Sequence, residues 1–376
     1  MNRCVLIDYG PVETRAALQE NDEITGLWIG PGYAMRVPAM AGERLAARIE
    51  TIDKKLGAAF VSLGDEQGFL PLPGKQSVQE GEALIVDVST PARGGKLARV
   101  RLSPNQRGPD RRGDILTHAL AMTGADGAYD ILLHAPAEKF VAARNSLGRP
   151  IVQAGPEMFE RDGVEEVFEQ ALSRVIDLPG GARLTVEEAE ALTAIDVDVS
   201  ATDGQSKAGA VTRACQSAIP VIIRQIALRC IGGQVVIDFP VTRRDGKGVH
   251  QALQDAASLQ GWRTHPLSDA GLVALTVPRR GWSLLDHVSE PTAIAPVPGR
   301  RWTLDHLAAR ALRLAGRALE GDRAAQLELL LPPAVHAHIE AHAAWLQPLY
   351  DTYGNRLTLI EDAGRERDRA DVRQTG

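Results

Sequence analysis

Three aspartates stand out for what their spacing could do. Asp196 and Asp198 lie in Glu190-Ala191-Leu192-Thr193-Ala194-Ile195-Asp196-Val197-Asp198-Val199-Ser200, and Asp238 closes Gly232-Gly233-Gln234-Val235-Val236-Ile237-Asp238-Phe239. If the first segment is a strand, alternate side chains share a face, so Asp196 and Asp198 point one way while Ile195, Val197 and Val199 point the other. Two carboxylates on one face repel unless positive charge joins them. The second segment is an apolar, β-branched run ending in an acid, as a buried central strand does when a carboxylate projects at its C-terminal edge. Should the two strands be neighbours, the acids converge into a donor set suited to Mg²⁺, which takes one or two carboxylates together with water and substrate phosphate. That arrangement supports metal-assisted phosphodiester hydrolysis. Either aspartate alone would more simply cap a helix or turn.

The elements that must position these acids follow from periodicity and punctuation. Residues 3–9 and 24–29 read as strands. Residues 37–103 read as all-β, with runs at 48–52, 58–63, 68–72, 83–88 and 97–102 separated by Gly, Pro and Asp, which predicts a small barrel of the OB type. From about 115 to 290, helices at 137–147, 162–174 and 206–229 alternate with strands at 183–187, 191–199, 234–239 and 271–277, which predicts α/β packing around a central sheet. Residues 293–301, containing Pro296 and Pro298, read as a linker. Thr303–Leu319 is an amphipathic helix by its Leu and Ala spacing, and strands are expected at 327–331 and 356–360. The expected division is residues 1–36 as strands joining the catalytic domain, 37–103 as the barrel, 104–292 as the catalytic domain, 300–362 as a small C-terminal domain and 363–376 as a disordered tail, charged and poor in large apolar residues.

Composition narrows the function classes. The 376 residues are 44% hydrophobic and 24% charged, the mix of a soluble globular chain. No apolar run reaches the ~18 residues of a membrane helix, no signal peptide is legible at the N-terminus, and three cysteines are too few for a disulfide framework, so a cytoplasmic setting is expected. The net charge is −6, yet between residues 93 and 112 Arg93, Lys96, Arg99, Arg101, Arg107, Arg111 and Arg112 face a single acid, Asp110. Such a stretch is either a solvated face or a local anion-binding patch. His336, His338 and His342 include a pair at helical spacing, but with no acidic or cysteine partner at a recognised spacing they read as a solvated helix face.

The motif Glu190-Ala191-Leu192-Thr193-Ala194-Ile195-Asp196, followed by Gly232-Gly233-x-x-x-Ile237-Asp238-Phe239, resembles the catalytic core of the ribonuclease E/G family. The resemblance runs with gaps from residue 1 to about 290. It implies a mixed α+β chain: an RNase H-like α/β catalytic domain, an inserted S1 (OB-fold) β-barrel and a small C-terminal α/β domain. It implies an endoribonuclease that cleaves single-stranded RNA to a 5′-phosphate and a 3′-hydroxyl, with Asp196 and Asp238 as Mg²⁺ ligands, Mn²⁺ as an alternative ion, and Asp198 assisting where the family has Asn. Ala58-Ala59-Phe60-Val61 and Gly68-Phe69-Leu70-Pro71-Leu72 resemble the family's S1 domain, whose two aromatics clamp RNA bases, and Lys96 falls at the site of an RNA-contacting lysine. Arg93, Arg99, Arg107, Arg111 and Arg112 are then expected along the RNA backbone. Without the resemblance, Phe60 and Phe69 read as barrel core.

The departures from the family carry their own expectations. Residues 108–129 are too few for the module that senses a 5′-monophosphate, so indifference to the 5′ end is expected. No Cys-x-x-Cys is present, so no structural zinc is expected, and any homo-oligomer would assemble without it. An arginine that the family places after the second catalytic strand is replaced in its region by Asp269-Ala270. The alternative reading is therefore an RNA-binding regulator or chaperone with weak or lost cleavage.

Overall fold

The alternating and amphipathic segments of the sequence form two units. One comprises Met1–Val37, Gly113–Phe168 and Asp286–Gly376, and the other comprises Pro38–Arg112 and Glu169–Leu285. The computed structural model describes residues 3–35, 38–72, 78–92, 96–104, 108–109, 129–147, 150–178, 181–199, 207–279, 281–292, 299–322 and 324–375.

The second unit carries the aspartates. Its barrel is closed in the order β4-β5-β6-β8-β7, with β4 Arg44–Asp53, β5 Ala58–Ser62, β6 Gln67–Pro71, β7 Ala83–Thr90 and β8 Ala98–Leu102. Alternation puts Leu45, Ala47, Ile49, Ala59, Val61, Leu70, Val86, Val88 and Val100 in its core. A six-stranded sheet follows in the order β11-β12-β13-β14-β16-β15, with β11 Val175–Asp177, β12 Arg183–Glu188, β13 Thr193–Asp198, β14 Gly233–Asp238, β15 Arg263–Thr264 and β16 Leu272–Val277. Parallel strands need a crossover, and the helix Lys207–Leu228 supplies it between β13 and β14. This helix and the helix Lys247–Leu259 cover one face of the sheet: Ile219, Ile222, Ile226 and Leu253 pack on Leu184, Val186, Ile195, Val197, Val235, Ile237, Val273 and Leu275.

The first unit holds a five-stranded sheet, β10-β9-β1-β2-β3. Here β1 Arg3–Tyr9, β2 Glu13–Glu20 and β3 Glu23–Pro31 are antiparallel, and β9 Asp130–His134 and β10 Val152–Gln153 run parallel to β1. The β2–β3 turn uses Asn21 and Asp22, both with positive φ (50° and 68°), the geometry that short polar residues tolerate in a tight hairpin. β2 escapes the sequence reading because it buries charge instead of alternating. Glu13 accepts from His306 Nδ1 (2.7 Å) and Arg313 Nη1 (2.9 Å), while Arg15 donates to Asp8 (3.1 Å) and to both oxygens of Glu165 (3.0 Å each). A small ribbon pairs β17 Ser289–Thr292 with β18 Gly299–Trp302. The helix Leu304–Gly321, capped by Thr303, buries Leu307, Ala308, Ala311, Leu312, Ala315 and Leu319 beside a second sheet. That sheet places β19 Gln326–Leu331 between β20 Leu357–Glu361 and β21 Asp371–Thr375.

Several expectations need correction. The mixed architecture and the five-stranded barrel form, but a single RNase H-like catalytic domain spanning 104–292 and joined by residues 1–36 does not. Strands from 1–36 and 129–153 share a sheet in the first unit, whereas Asp196 and Asp238 lie on a different sheet in the second. The disordered tail expected over 363–376 instead supplies β21, whose Val372 packs on the core and whose Arg373 Nε donates to Glu328 (2.9 Å). An edge strand with one apolar contact gives a weak sequence signal. His338 lies on the helix Pro333–Ala341, but its Nε2 donates to Asp305 (2.7 Å) instead of facing only solvent. Most of the connector 104–128 and the linker residues 293–298 lie outside the described residues. No helix among the described residues is long and apolar enough to cross a membrane.

The buried charges under β2 set a pH dependence. Burial would raise the Glu13 carboxyl, but the charges of His306 and Arg313 outweigh it and pull the carboxyl down to about 2. An unfolded Glu titrates near ~4.3, so the stabilisation is fully present above that value and is lost as pH falls toward about 2. Urea unfolding followed between pH 5 and pH 2 should show a steep acid limb. Glu13→Gln should lower stability at neutral pH and flatten that limb, and an unchanged limb would remove Glu13 from the account.

Candidate active site

The register of two parallel strands brings the acids together. In the β13–β14 ladder, Ile195 pairs with Ile237 and Asp196 with Asp238. Ile195, Val197 and Ile237 are buried against the helices, so period-2 alternation turns Asp196, Asp198 and Asp238 to the opposite, exposed face. Residues paired across adjacent strands stand ~5 Å apart at the backbone, close enough for two carboxylates to share one cation. The ladder thus sets Asp196 beside Asp238, with Asp198 two residues further along β13 on the same face.

The electrostatics match that geometry. The Asp196 carboxyl is raised above its usual range, first by partial burial and then by the negative charges of Asp238, Asp198 and Glu187. None of Asp196, Asp198 or Asp238 makes an ion pair among the described residues. Glu187 was not foreseen. It stands on β12 opposite Ala194 and is bonded to Arg174. The alternation Arg183-Leu184-Thr185-Val186-Glu187 would have placed it on the acidic face. Among the described residues no group of three or more His, Cys, Asp or Glu is arranged to hold a metal ion. Two in-register carboxylates do fit a hard cation that fills its remaining positions with water and phosphate oxygens.

The barrel residues fall on its outer surface. Phe60 and Phe69 pair directly across β5 and β6, with ring centroids 6.0 Å apart at 70°, and both are half-buried outside the core cluster that takes their neighbours Ala59, Val61 and Leu70. Thr51 pairs with Phe60, and exposed Arg99 pairs with Phe69, so a row crosses β4, β5, β6 and β8. Lys96, also exposed, forms an ion pair with Glu190 (3.0 Å), which lies in the turn leading into β13. Trp282 Nε1 donates to the Ala92 carbonyl (2.7 Å), a second tie between the barrel and the rest of this unit. Arg93, Arg107, Arg111 and Arg112 lie outside the described residues. Asp269, in the region where an arginine was expected, accepts from Arg243 Nη1 (3.0 Å), so a guanidinium does reach this turn, from the segment that follows Asp238.

Two outcomes follow. Removing the Asp238 charge with Asp238→Asn should lower the Asp196 carboxyl titration measured by NMR, and an unmoved titration would mean the pair does not interact. Phe60→Ala should cost about 1 kcal/mol, the worth of the aromatic pair, against about 2–5 kcal/mol for Leu70→Ala in the core. Equal losses in urea unfolding would return Phe60 to the core.

Residues 136–280 match the model of the Ribonuclease E/G family. The chain is 34% identical over 134 residues to Ribonuclease E of Synechocystis sp., covering 34% of this chain and 20% of that protein. It is 32% identical over 136 residues to Ribonuclease G of Haemophilus influenzae, covering 35% of this chain and 28% of that protein. It is 35% identical over 104 residues to Ribonuclease E of Escherichia coli, covering 26% of this chain and 10% of that protein. The matches thus span between 10% and 28% of these relatives' length. Residues 136–280, the segment that carries Asp196 and Asp238, are thus similar to the ribonuclease E/G family.

Proposed function

We propose that the chain is a metal-dependent endoribonuclease acting on single-stranded RNA, with Asp196 and Asp238 as the Mg²⁺ ligands and Mn²⁺ as a substitute ion. The observation that carries this reading is the in-register pair Asp196/Asp238, flanked by Asp198 on an exposed face with no ion-pair partner among the described residues. The Ribonuclease E/G family, whose model residues 136–280 match, suggests the RNA substrate class. When bound, Mg²⁺ supplies the positive charge that stabilises the phosphoryl transition state and acidifies a water at neutral pH. The chain's own residues do the rest. Asp196 and Asp238 hold fixed oxygens on two rigid strands, and Asp198 adds negative charge where the family has an amide. Phe60 and Phe69 offer π-faces on which bases stack without regard to sequence, and Arg99 and Lys96 sit beside them for the phosphates. The products are a 5′-phosphate and a 3′-hydroxyl. Cleavage is indifferent to the 5′ phosphate, and any homo-oligomer forms without zinc.

The second reading, RNA binding without efficient cleavage, draws on two features of this chain: Asp198 in place of the family's Asn, and Asp269 engaged with Arg243 in the region where the family places an arginine. One assay separates the two. A fluorescent single-stranded RNA bearing a 5′-monophosphate or a 5′-triphosphate is incubated with Mg²⁺, beside Asp196→Asn and Asp238→Asn. Cutting of both RNAs at rates within a few-fold, abolished in both variants while RNA affinity persists, is the expected result. Full activity in either variant would sink the metal assignment. Affinity without cutting in the native chain would establish the binding reading.

A further inference from the structure

The first unit contains a cavity of about 500 Å³, within the ~300–1,000 Å³ of small-ligand sites. It opens where the parallel strands β1 and β9 end, at Asp8 and His134, the edge of an α/β sheet at which ligands bind. Two of its acids are already compensated. Asp8 is held by Arg15 and His134, and Glu13 by His306 and Arg313. The positive groups are less fully engaged. Arg313 spends Nη1 on Glu13 and makes no other hydrogen bond among the described residues. The eleven-residue helix Ala137–Leu147 begins in the cavity wall. Its first main-chain bond is Phe140 N–H to the Pro136 carbonyl (2.9 Å), which leaves the N–H groups of residues 137–139 without helical acceptors. The helix start and Arg313 both line this one cavity, and free N–H groups at a helix start favour a phosphate.

The other end of the cavity is aromatic. Tyr33 stands edge-to-face against Tyr9 (5.3 Å, 70°), with Tyr353 and Trp345 also in the wall. The Tyr33 hydroxyl is buried and has no hydrogen-bond partner among the described residues. Burial first, then Tyr9 and Asp351, push the Tyr33 phenol upward in pKa, and Asp351, which accepts from Gln347 Nε2 (2.7 Å) through Oδ1, is an acceptor in the same wall. Lys139, in the first turn of the helix, lies 5.3 Å over the Tyr33 ring, so the phosphate end and the ring end are neighbours. Gly32 fixes this wall: its backbone bonds Val12, and a Cβ there would lie 2.3 Å from the Pro11 carbonyl.

We propose that this cavity binds a nucleoside monophosphate, free or as the terminal nucleotide of an RNA, with the phosphate at Arg313 and the start of helix Ala137–Leu147, and the base against Tyr9 and Tyr33 with its amino edge toward Asp351. The proposal does not rest on the nuclease reading, because none of these residues belongs to the carboxylate site.

The test is calorimetric titration of the full chain in EDTA, where metal-dependent cleavage is silent, with GMP, guanosine, inorganic phosphate and a 5′-phosphorylated oligoribonucleotide beginning with G. GMP should bind at least tenfold more tightly than guanosine or phosphate. A tighter oligonucleotide assigns the source to RNA ends, and a weaker one assigns it to free nucleotide. Tyr33→Phe should weaken GMP several-fold without lowering the melting temperature, since the hydroxyl bonds nothing among the described residues, and Arg313→Gln should remove the advantage of GMP over guanosine. Asp238→Asn should bind GMP unchanged, which separates this site from the nuclease assignment. GMP binding no tighter than guanosine, or unaltered by Tyr33→Phe, would overturn the proposal.

Discussion

The register of one parallel strand pair decides where the aspartates of this chain stand. Slipping β14 by one residue against β13 would turn Asp238 into the helix-covered core and Ile237 out to solvent, because side-chain direction alternates at every residue. The slip is forbidden by the apolar face. Ile195, Val197, Val235 and Ile237 can be buried against Ile219, Ile222 and Ile226 only in the observed pairing. The acids are therefore brought together by the burial of their apolar neighbours, and the Asp196 carboxyl is raised first by partial burial and then by the charges of Asp238, Asp198 and Glu187. A site strained in this way is poised for a cation, since a bound positive charge relieves the repulsion that the fold imposes.

The first unit uses charge differently. Under β2, Asp8, Glu13, Arg15, Glu165, His134, His306 and Arg313 form an ion network in which most members are buried. Desolvating so many charges is costly, and such a network holds only when each member has partners. Arg15 also lies over the rings of Phe159 and Phe168, at 4.7 and 5.4 Å, which adds cation–π attraction to its ion pairs. The network ties β1 and β2 to β9, to residue 165 and to the helix Leu304–Gly321, segments far apart in sequence. It also leaves Arg313 with donors to spare at the wall of a cavity, so one set of contacts both stabilises the unit and shapes a binding site.

The barrel sets two aromatic rings on its outside by plain alternation. A register shift between Ile49 and Thr51 brings Thr51 opposite Phe60, and the two phenylalanines pair outside the barrel while Ala59, Val61 and Leu70 fill it. Large rings that could have filled the interior are instead half-exposed beside Arg99. Small interior residues make this arrangement workable, since Ala47 and Ala59 leave room for the valines and leucines of the facing strands.

The sequence by itself determined whatever depends on local period. The strands around Asp196 and Asp238, the barrel runs, the helix 304–321 and the shared face of Asp196 and Asp198 all follow from alternation or helical spacing within a few residues. Asp238 could be marked as a strand-end acid, but its place beside Asp196 could not, because a whole crossover helix separates them. Tertiary structure decided the rest. β2 was illegible because Glu13 and Arg15 are buried only by virtue of partners up to 293 residues away. β21 was illegible because an edge strand needs little apolar content once Glu328 and the core receive it. The pairing of Phe60 with Phe69 depends on the register of β5 against β6, and the placing of the N-terminal strands on a sheet other than that of Asp196 and Asp238 depends on long-range pairing. Local periodicity fixes which face a residue occupies, whereas only the folded chain selects which distant segment meets that face.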